Sequence, residues 1–365
     1  MAISLVFLGI PLEITIRSYS PVEEKLKIKE YYINEEEIIM KNILLIITLL
    51  YLLFGCSEVS DHEPILVGAL FTMDDDGGNV TYLIDESIEN VQFTLDDEKI
   101  IINKAGGGIW SVNTDGTEVK RLTSKSIGDV LPSLSPDGTQ IAFASGDIYI
   151  VDIDVTNLQN LTNTPDVRDR YPHFSPDGDS IVYTTDSDTL ITISIIDKNG
   201  ESPRILISDT PSTKLAQVYY YPRYNISGDK IYYIFFGELE GLYSINTDGT
   251  ENTILYDGAV YTYFLSMTDD GSKLAFTCGA HIYILNTENS EITDLEVGGG
   301  GMISPDGSKI VFGGVKIMNS DGSGLTKLED GGNPRFSHNK YDDHYKIVYS
   351  GAREINKKTN KGLVF

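Results

Sequence analysis

The stretch LSPDGTQIAFASGDIYIVDID, from Leu134 to Asp154, contains the unit from which most of this chain is built. Its SPDG segment predicts a tight turn, because proline presets φ at the first corner, aspartate tolerates the second and glycine adopts the left-handed geometry that closes the turn. The following TQIAFAS and DIYIVDI alternate apolar with polar residues or are rich in β-branched and aromatic residues, which is typical of strands. The stretch therefore predicts strands joined by hairpin turns, with Ser135 and Asp137 as turn formers rather than catalytic groups.

The same unit recurs along the chain. Each copy opens with a hydrophobic residue just before its turn, at Phe93, Leu134, Phe174, Tyr224, Met267, Ile303 and Phe336. Neighbouring openings lie 33 to 50 residues apart, close to the ~40 to 45 residues of a four-stranded propeller blade. A second Asn/Asp-Gly turn separates the third and fourth strands in several copies, as in VNTDGTE at 112–118. We predict an all-β chain that forms a β-propeller of four-stranded antiparallel blades, seven in number, with six or eight as alternatives.

The repeated pattern P-x-F-SPDG-x-x-I-x-F, followed by DIYIVD and NLT, resembles the WD40-like repeat of the TolB family of bacterial propellers. The resemblance covers residues 64–365 and implies the propeller fold, with protein partners as in TolB. It indicates function only weakly, because propellers include binding modules, peptidase domains and lyases.

Closure of the ring is predicted from an incomplete first blade. Ile65 to Asp85 has the pattern of third and fourth strands without the first two, and PRFSH at 334–338 with YKIVYSG at 345–351 supplies those two. Pairing the two chain ends would hide strand edges that otherwise invite aggregation. The C-terminal KGLVF also resembles a third strand, so the alternatives of a missing or an additional strand stay open.

The N-terminal region has the pattern of an export signal. From Met40, a lysine precedes thirteen residues without charge, from Ile43 to Gly55, and Cys56 follows. LFGC at 53–56 resembles the lipobox of bacterial lipoproteins, so we predict a signal peptide at 40–55, lipidation of Cys56 and a short tether at 56–63. The alternative is an ordinary secretory signal with Cys56 incidental. Residues 1–39 contain acidic runs where a signal peptide has a basic flank. We therefore interpret them as an upstream extension from a mis-set start codon.

Charge and motifs exclude several classes of function. With 28 Lys and Arg against 54 Asp and Glu, the net charge is −26, which would repel a phosphate backbone, so no nucleic acid is expected. No nucleophile elbow or phosphate-binding glycine loop occurs. His338 and His344 flank Asp342 and Asp343, a possible metal cluster that we interpret instead as a polar turn in solvent. We expect no catalytic residue, no cofactor and no metal.

The candidate binding residues lie on the predicted innermost strands. The position before each opening hydrophobic residue is occupied by Gln92, Ser133, His173, Arg223, Ser266, Met302 and Arg335, and Arg168 and Arg170 lead into the same rim. Closing the ring should bring His173, Arg223 and Arg335 to one end of the axis, where arginine suits a carboxylate. The alternative is that these side chains pair with acidic neighbours between blades.

A second candidate surface is rich in tyrosine. Tyr219, Tyr220 and Tyr221 head a run of ten tyrosines in the fourth and fifth repeats, and tyrosine suits interfaces that are half apolar and half wet. About half of the ten are expected in packing between blades. Tyr219 to Tyr221 are predicted to be exposed.

Two classes of function remain. The first is a non-enzymatic, lipid-anchored protein of the bacterial cell envelope, in the periplasm or at the outer membrane, whose monomeric propeller binds an envelope protein, a peptide or an anionic glycan. The alternative is an enzyme with a channel site, such as a lyase or hydrolase that acts on acidic sugars.

Overall fold

The computed structural model describes residues 2–7, 10–15, 65–104, 107–123, 132–210, 218–237, 239–258 and 265–355. The chain divides into two units, Met1–His62 and Glu63–Phe365. In the first, β1 (Ala2–Phe7) pairs with β2 (Ile10–Thr15) as an antiparallel hairpin. The predicted signal peptide, Cys56, the tether and KGLVF lie outside the described residues. Within the described ranges, no helix has the length and apolar character needed to cross a membrane.

The second unit is a seven-bladed β-propeller, as predicted. Every blade is a four-stranded antiparallel sheet. Blades 1 to 6, in chain order, consist of β5 Ile88–Phe93, β6 Lys99–Lys104, β7 Ile109–Asn113 and β8 Lys120–Arg121; β9 Ser133–Leu134, β10 Gln140–Ser145, β11 Asp147–Asp152 and β12 Gln159–Asn160; β13 Arg168–Phe174, β14 Ser180–Asp186, β15 Ile191–Asp197 and β16 Arg204–Asp209; β17 Val218–Tyr224, β18 Lys230–Phe236, β19 Gly241–Asn246 and β20 Thr253–Asp257; β21 Ser266–Met267, β22 Lys273–Cys278, β23 His281–Asn286 and β24 Ile292–Asp294; and β25 Met302–Ile303, β26 Lys309–Phe312, β27 Lys316–Asn319 and β28 Thr326–Lys327.

Blade 7 closes the ring with strands from both ends of the unit. Its order is β29 (Gly332–Tyr341), β30 (His344–Ile355), β3 (Ile65–Asp74) and β4 (Thr81–Asp85). β3 and β30 pair in continuous register from Ile65 with Ile355 to Asp74 with Lys346. The predicted closure, in which an N-terminal pair of strands completes a C-terminal pair, is confirmed.

The SPDG turns have the predicted structural role. In blade 2, the Ser135 hydroxyl donates to Asp137 Oδ1 over 2.6 Å, and the N–H of Thr139 donates to the same oxygen over 3.0 Å. These bonds, the one from Ser135 first, lower the pKa of Asp137 to about 2. Gly138 closes the turn at φ 71°. Equivalent bonds join Thr94 to Asp96, Ser175 to Asp177, Thr268 to Asp270 and Ser304 to Asp306.

The hydrophobic core lies between neighbouring blades. Ile148 of blade 2, for example, is in one buried cluster with Phe174 and Ile181 of blade 3. Four blades also stack an aromatic residue of the second strand on its register partner in the third, with ring centroids 5.4 to 5.5 Å apart, and the pairs are Phe143–Tyr149, Tyr233–Tyr243, Phe276–Tyr283 and Phe71–Tyr349. Cross-strand aromatic pairs stabilise a sheet beyond their buried area, which accounts for part of the tyrosine content.

Candidate functional site at the inner strands

Side chains of the innermost strands hydrogen-bond to the next blade. The Ser133 hydroxyl of blade 2 accepts from the N–H of Phe174 in blade 3 over 3.1 Å. The Ser266 hydroxyl of blade 5 accepts from Ile303 in blade 6 over 3.0 Å. Gln92 of blade 1 likewise donates its side-chain amide to a backbone carbonyl leading into blade 2. Gln92, Ser133 and Ser266 therefore join successive blades through backbone groups.

Arg223 and His173 lie next to each other on this ring. Arg223 Nη1 of blade 4 donates to the carbonyl of Leu265, at the start of blade 5, over 3.2 Å. Burial first, and the positive charge of Arg223 second, lower the pKa of His173 to about 3. His173 is therefore neutral at physiological pH and adds no positive charge to the inner strands. Its Nδ1 is buried and has no hydrogen-bond partner.

Arg335 lies on the inner strand of blade 7, across the ring from blades 3 and 4. Its side chain is 7% exposed, and Nη1 donates to the carbonyl of Pro334 over 2.9 Å. Burial lowers its pKa to about 10, so the guanidinium stays charged at neutral pH. Successive blades are neighbours in the ring, so Arg335 is three blades from Arg223. The inner strands thus bring Arg223 and His173 together and place Arg335 on the other side of the axis.

Three inner strands contain the same irregularity. Tyr171, Tyr221 and Asn333, each directly before a proline, adopt left-handed φ values of 54°, 52° and 49°. The ladder register shifts at these points, between Arg170 and His173 in blade 3 and at the equivalent points of blades 4 and 7. A left-handed backbone is uncommon for a bulky residue and concentrates at functional sites.

The two irregular tyrosines meet between blades 3 and 4. The rings of Tyr171 and Tyr221 have centroids 4.5 Å apart, and Tyr220 lies 5.6 Å from Tyr171 and 5.7 Å from Tyr221. We call Tyr171, Tyr220 and Tyr221 the tyrosine cluster. Arg170 hydrogen-bonds to the side chain of Tyr171 and is half-buried, whereas Arg168 is exposed at the start of the strand.

Tyr219 is not an exposed residue. Its side chain is 2% exposed, and its hydroxyl donates to Asp209 over 2.5 Å. Burial, followed by this bond, raises its pKa. The prediction that Tyr219 is exposed is therefore wrong, and Tyr220 and Tyr221 are partly buried. Tyr171 belongs to the cluster but was missed in the sequence, where only its position before Pro172 resembles Tyr221.

His338 and His344 are 34% and 38% exposed and are bonded to buried carboxylates. His338 Nδ1 lies 3.2 Å from Asp97 of blade 1, and His344 Nδ1 lies 2.8 Å from Asp75. Asp97 and Asp75 are 5% and 3% exposed. Lys309 of blade 6 also bonds Asp75 over 2.8 Å. Residues 339–343 of the turn are exposed, as expected of a polar turn, and the histidine bonds additionally fix the turn to Asp97 of blade 1 and to Asp75.

Two shallow clefts lie at the SPDG-turn end of the inner strands. One, of about 340 Å³, is lined by Thr94 and Asp96 of blade 1 and by Pro136 and Asp137 of blade 2. The other, of about 230 Å³, lies between blades 2 and 3. Neither includes a predicted binding residue. Over the part of the chain that the structure describes, no three His, Cys, Asp or Glu side chains are arranged to hold a metal ion.

Comparison with known proteins identifies relatives by fold alone. No protein-family model matches the chain, and no curated protein sequence matches it. An oligogalacturonate lyase solved in complex with manganese matches at 14% identity with a TM-score of 0.60, over 82% of this chain and 99% of that one. The oligogalacturonate lyase of Vibrio parahaemolyticus matches at 13% identity with a TM-score of 0.58, over 81% and 99%. TolB of Acinetobacter baumannii matches at 18% identity with a TM-score of 0.48, over 71% and 62%. The propeller predicted from the TolB-like repeat is thus confirmed as a fold.

Proposed function

We propose that this chain is a non-enzymatic binding protein of the bacterial cell envelope, whose inner strands hold an anionic group of a protein, peptide or glycan. The observation that carries the proposal is the environment of Arg223. Its only hydrogen bond within the described ranges goes to a neutral carbonyl, and burial lowers its pKa. Asp269 in the first turn of blade 5 has a favourable electrostatic effect on the guanidinium, but no carboxylate of the described residues forms an ion pair with it, and a desolvated charge of this kind would hold a bound anion strongly.

The surroundings favour a carboxylate ligand that extends from the axis toward the rim. Arg335 supplies a second buried guanidinium across the ring. The tyrosine cluster offers partly exposed rings in the same two blades as His173 and Arg223. Arginine forks match the geometry of carboxylates, and tyrosine rings bind apolar or sugar faces while their hydroxyls stay hydrated.

The binding experiment uses acidic peptides and oligouronates, with affinity measured by calorimetry. Arg223→Ala with Arg335→Ala should abolish binding and leave the melting temperature nearly unchanged. Arg204→Ala, an exposed arginine on the outer strand of blade 3, is the matched control and should bind normally. Unchanged affinity in the double variant would overturn the axial site, and a large loss of stability would mark the two arginines as structural.

The proposed location rests on the sequence from Met40 to Cys56. A diacylglyceryl group with an additional acyl chain gives stable membrane attachment, where a single chain does not. In the native cell, labelled palmitate should be incorporated into the wild-type protein and absent from Cys56→Ala. If Cys56→Ala is cleaved at the same bond and remains in the membrane fraction, the protein is not a lipoprotein.

A second candidate function is elimination or hydrolysis of an acidic sugar. It is favoured by one observation: a neutral, buried His173, with Nδ1 unbonded, beside a cationic Arg223. A neutral imidazole can accept the proton from the sugar carbon next to a carboxylate. An adjacent arginine that binds this carboxylate makes that proton more acidic. Incubation with oligogalacturonate, with and without manganese, should then yield an ultraviolet-absorbing unsaturated product that His173→Gln no longer forms. Absence of product under both conditions would reject the lyase.

A further inference from the structure

Blade 1 places the chain's one tryptophan between two cations. Lys104 Nζ lies 3.8 Å from the centre of the Trp110 ring, and Arg121 Cζ lies 5.5 Å from it. Trp110 and Arg121 are register partners on β7 and β8. Cation–π contacts of this kind hold both charged groups against the indole.

Three hydrogen-bond donors in this arrangement are buried and have no acceptor. They are Nε and Nη2 of Arg121 and Nε1 of Trp110. Nε and Nη2 form the side edge of the guanidinium, the fork that binds a planar oxyanion through two parallel bonds. A buried donor without an acceptor costs free energy, so a ligand that supplies acceptors to these groups would gain affinity from them.

The same protein contains the completed form of this fork. Arg353 lies over the ring of Tyr82, with Cζ 4.4 Å from its centre. Its Nε and Nη2 donate to the two oxygens of Asp85 over 3.0 and 2.6 Å. Arg121 over Trp110 has the corresponding aromatic contact and lacks the carboxylate.

Among the described residues, the charged groups near Trp110 leave one positive charge unpaired, which matches a ligand with a single negative charge. Lys104 is paired with Glu86 over 2.6 Å, whereas Arg121 has no ion pair within the described residues. One positive charge therefore remains uncompensated beside the indole. We propose that Arg121 and Trp110 form a second binding site, independent of the axial one, for an organic monocarboxylate that receives two bonds from the Arg121 fork and one from Trp110 Nε1.

The single tryptophan provides a direct probe of this site. Titration of the wild-type protein with sodium acetate should give a saturable change in tryptophan fluorescence that sodium chloride at equal ionic strength does not reproduce. Arg121→Lys retains the charge and loses the fork, so acetate affinity should fall about ten- to hundredfold. Arg353→Ala, whose fork is already filled by Asp85, is the matched control and should leave acetate binding unchanged.

A second variant keeps the test decisive if Arg121→Lys does not fold, which circular dichroism will show. Trp110→Phe keeps all charges and removes one donor, so calorimetry should detect acetate binding weakened several-fold. The proposal is overturned if acetate gives no saturable signal, if Arg121→Lys or Trp110→Phe binds like the wild type, or if inorganic phosphate binds more tightly than acetate.

Discussion

Replacing Asp97 with glycine should destabilise the propeller, although glycine is the residue that its backbone conformation favours. Asp97 takes the place in the blade 1 turn that glycine takes in the other SPDG-type turns, and it has a left-handed φ of 56°. An aspartate tolerates this conformation less well than glycine. Its contacts with the hairpin of blade 7 outweigh this cost.

The size of the effect follows from those contacts. The carboxylate of Asp97 accepts bonds from the N–H groups of His338 and Asn339, both over 2.8 Å, from the side chains of the same two residues, and from the Tyr341 hydroxyl over 3.3 Å. Loss of the acceptor for two backbone donors and for a charge-assisted side-chain bond costs about 2–4 kcal/mol. Relief of the left-handed strain returns about 1 kcal/mol. We therefore expect Asp97→Gly to lose about 1–3 kcal/mol.

The assay is urea unfolding at neutral pH, followed by tryptophan fluorescence and by circular dichroism. Gly138→Asp is the matched control, because Gly138 holds the equivalent place in blade 2 and a Cβ there meets no atom within 4 Å. This variant measures the backbone strain of an aspartate that lacks the contacts with the blade 7 hairpin, and it should lower the free energy of unfolding by about 1 kcal/mol.

Acid should remove the difference between the wild type and Asp97→Gly. Burial alone would raise the pKa of Asp97, but hydrogen bonds from the His338 side chain and from the N–H groups of His338 and Asn339 outweigh it and hold the pKa below its ordinary value. The stabilisation by Asp97 is therefore present above its ordinary pKa and is lost as the pH falls through the lowered one. If Asp97→Gly is as stable as the wild type at neutral pH, blade 7 is not held to blade 1 in this way.

Three further predictions concern titratable groups. Burial lowers the pKa of His173 to about 3 in the folded protein, so below about pH 6.5 this histidine gains a proton mainly in the unfolded chain, and stability falls. His173→Gln should therefore reduce the loss of stability between about pH 6 and pH 4 in thermal unfolding. The pKa of His344 is raised by its bond to Asp75, so its stabilising effect is present below the ordinary histidine pKa and lost as the pH rises through the raised one; His344→Gln should destabilise more at about pH 6 than at about pH 9. Tyr219→Phe leaves Asp209 without its buried donor and should cost about 1 kcal/mol in urea unfolding; an unchanged midpoint would show that this bond contributes nothing.

The blade count and the ring closure were predictable because they depend on local chemistry. Each SPDG turn is decided by a few adjacent residues, as the bonds of Ser135 and Asp137 illustrate. The incomplete blade beginning at Ile65 indicated a closure in which its two strands complete the C-terminal pair, and this is the arrangement that the structure has. The turns need no knowledge of distant parts of the chain, whereas the closure followed from matching the strand patterns at the two ends of the unit.

The faces of the inner strands were not predictable from alternation. A residue before proline is expected in extended conformation, yet Tyr221 is left-handed and the register shifts beside it. A shift of one residue moves side chains to the opposite face of a sheet. For this reason Tyr219 and Tyr224 are both buried although they stand five residues apart.

Side-chain contacts between residues that are far apart in the sequence were not predicted. His338 and its partner Asp97 are 241 residues apart, and nothing in the turn segment of either indicates the other. The neutral state of His173 likewise depends on burial and on Arg223 in the next blade. The pairing of Trp110 with Arg121 depends on a two-residue strand that no periodicity could place.

The pairing of β3 with β30 also determines when this molecule can complete its folding. The ion pair of Arg353 with Asp85 joins residues that are 268 positions apart. Contacts of such sequence separation form slowly, although the entropic cost of closing the loop rises only with the logarithm of its length. Until the ribosome has made β30, the ten residues of β3 present an unpaired edge that can join other chains. A chain that stops before Gly332 leaves the facing sides of blades 6 and 1 uncovered. The ring can therefore close only after the last two strands have been synthesised.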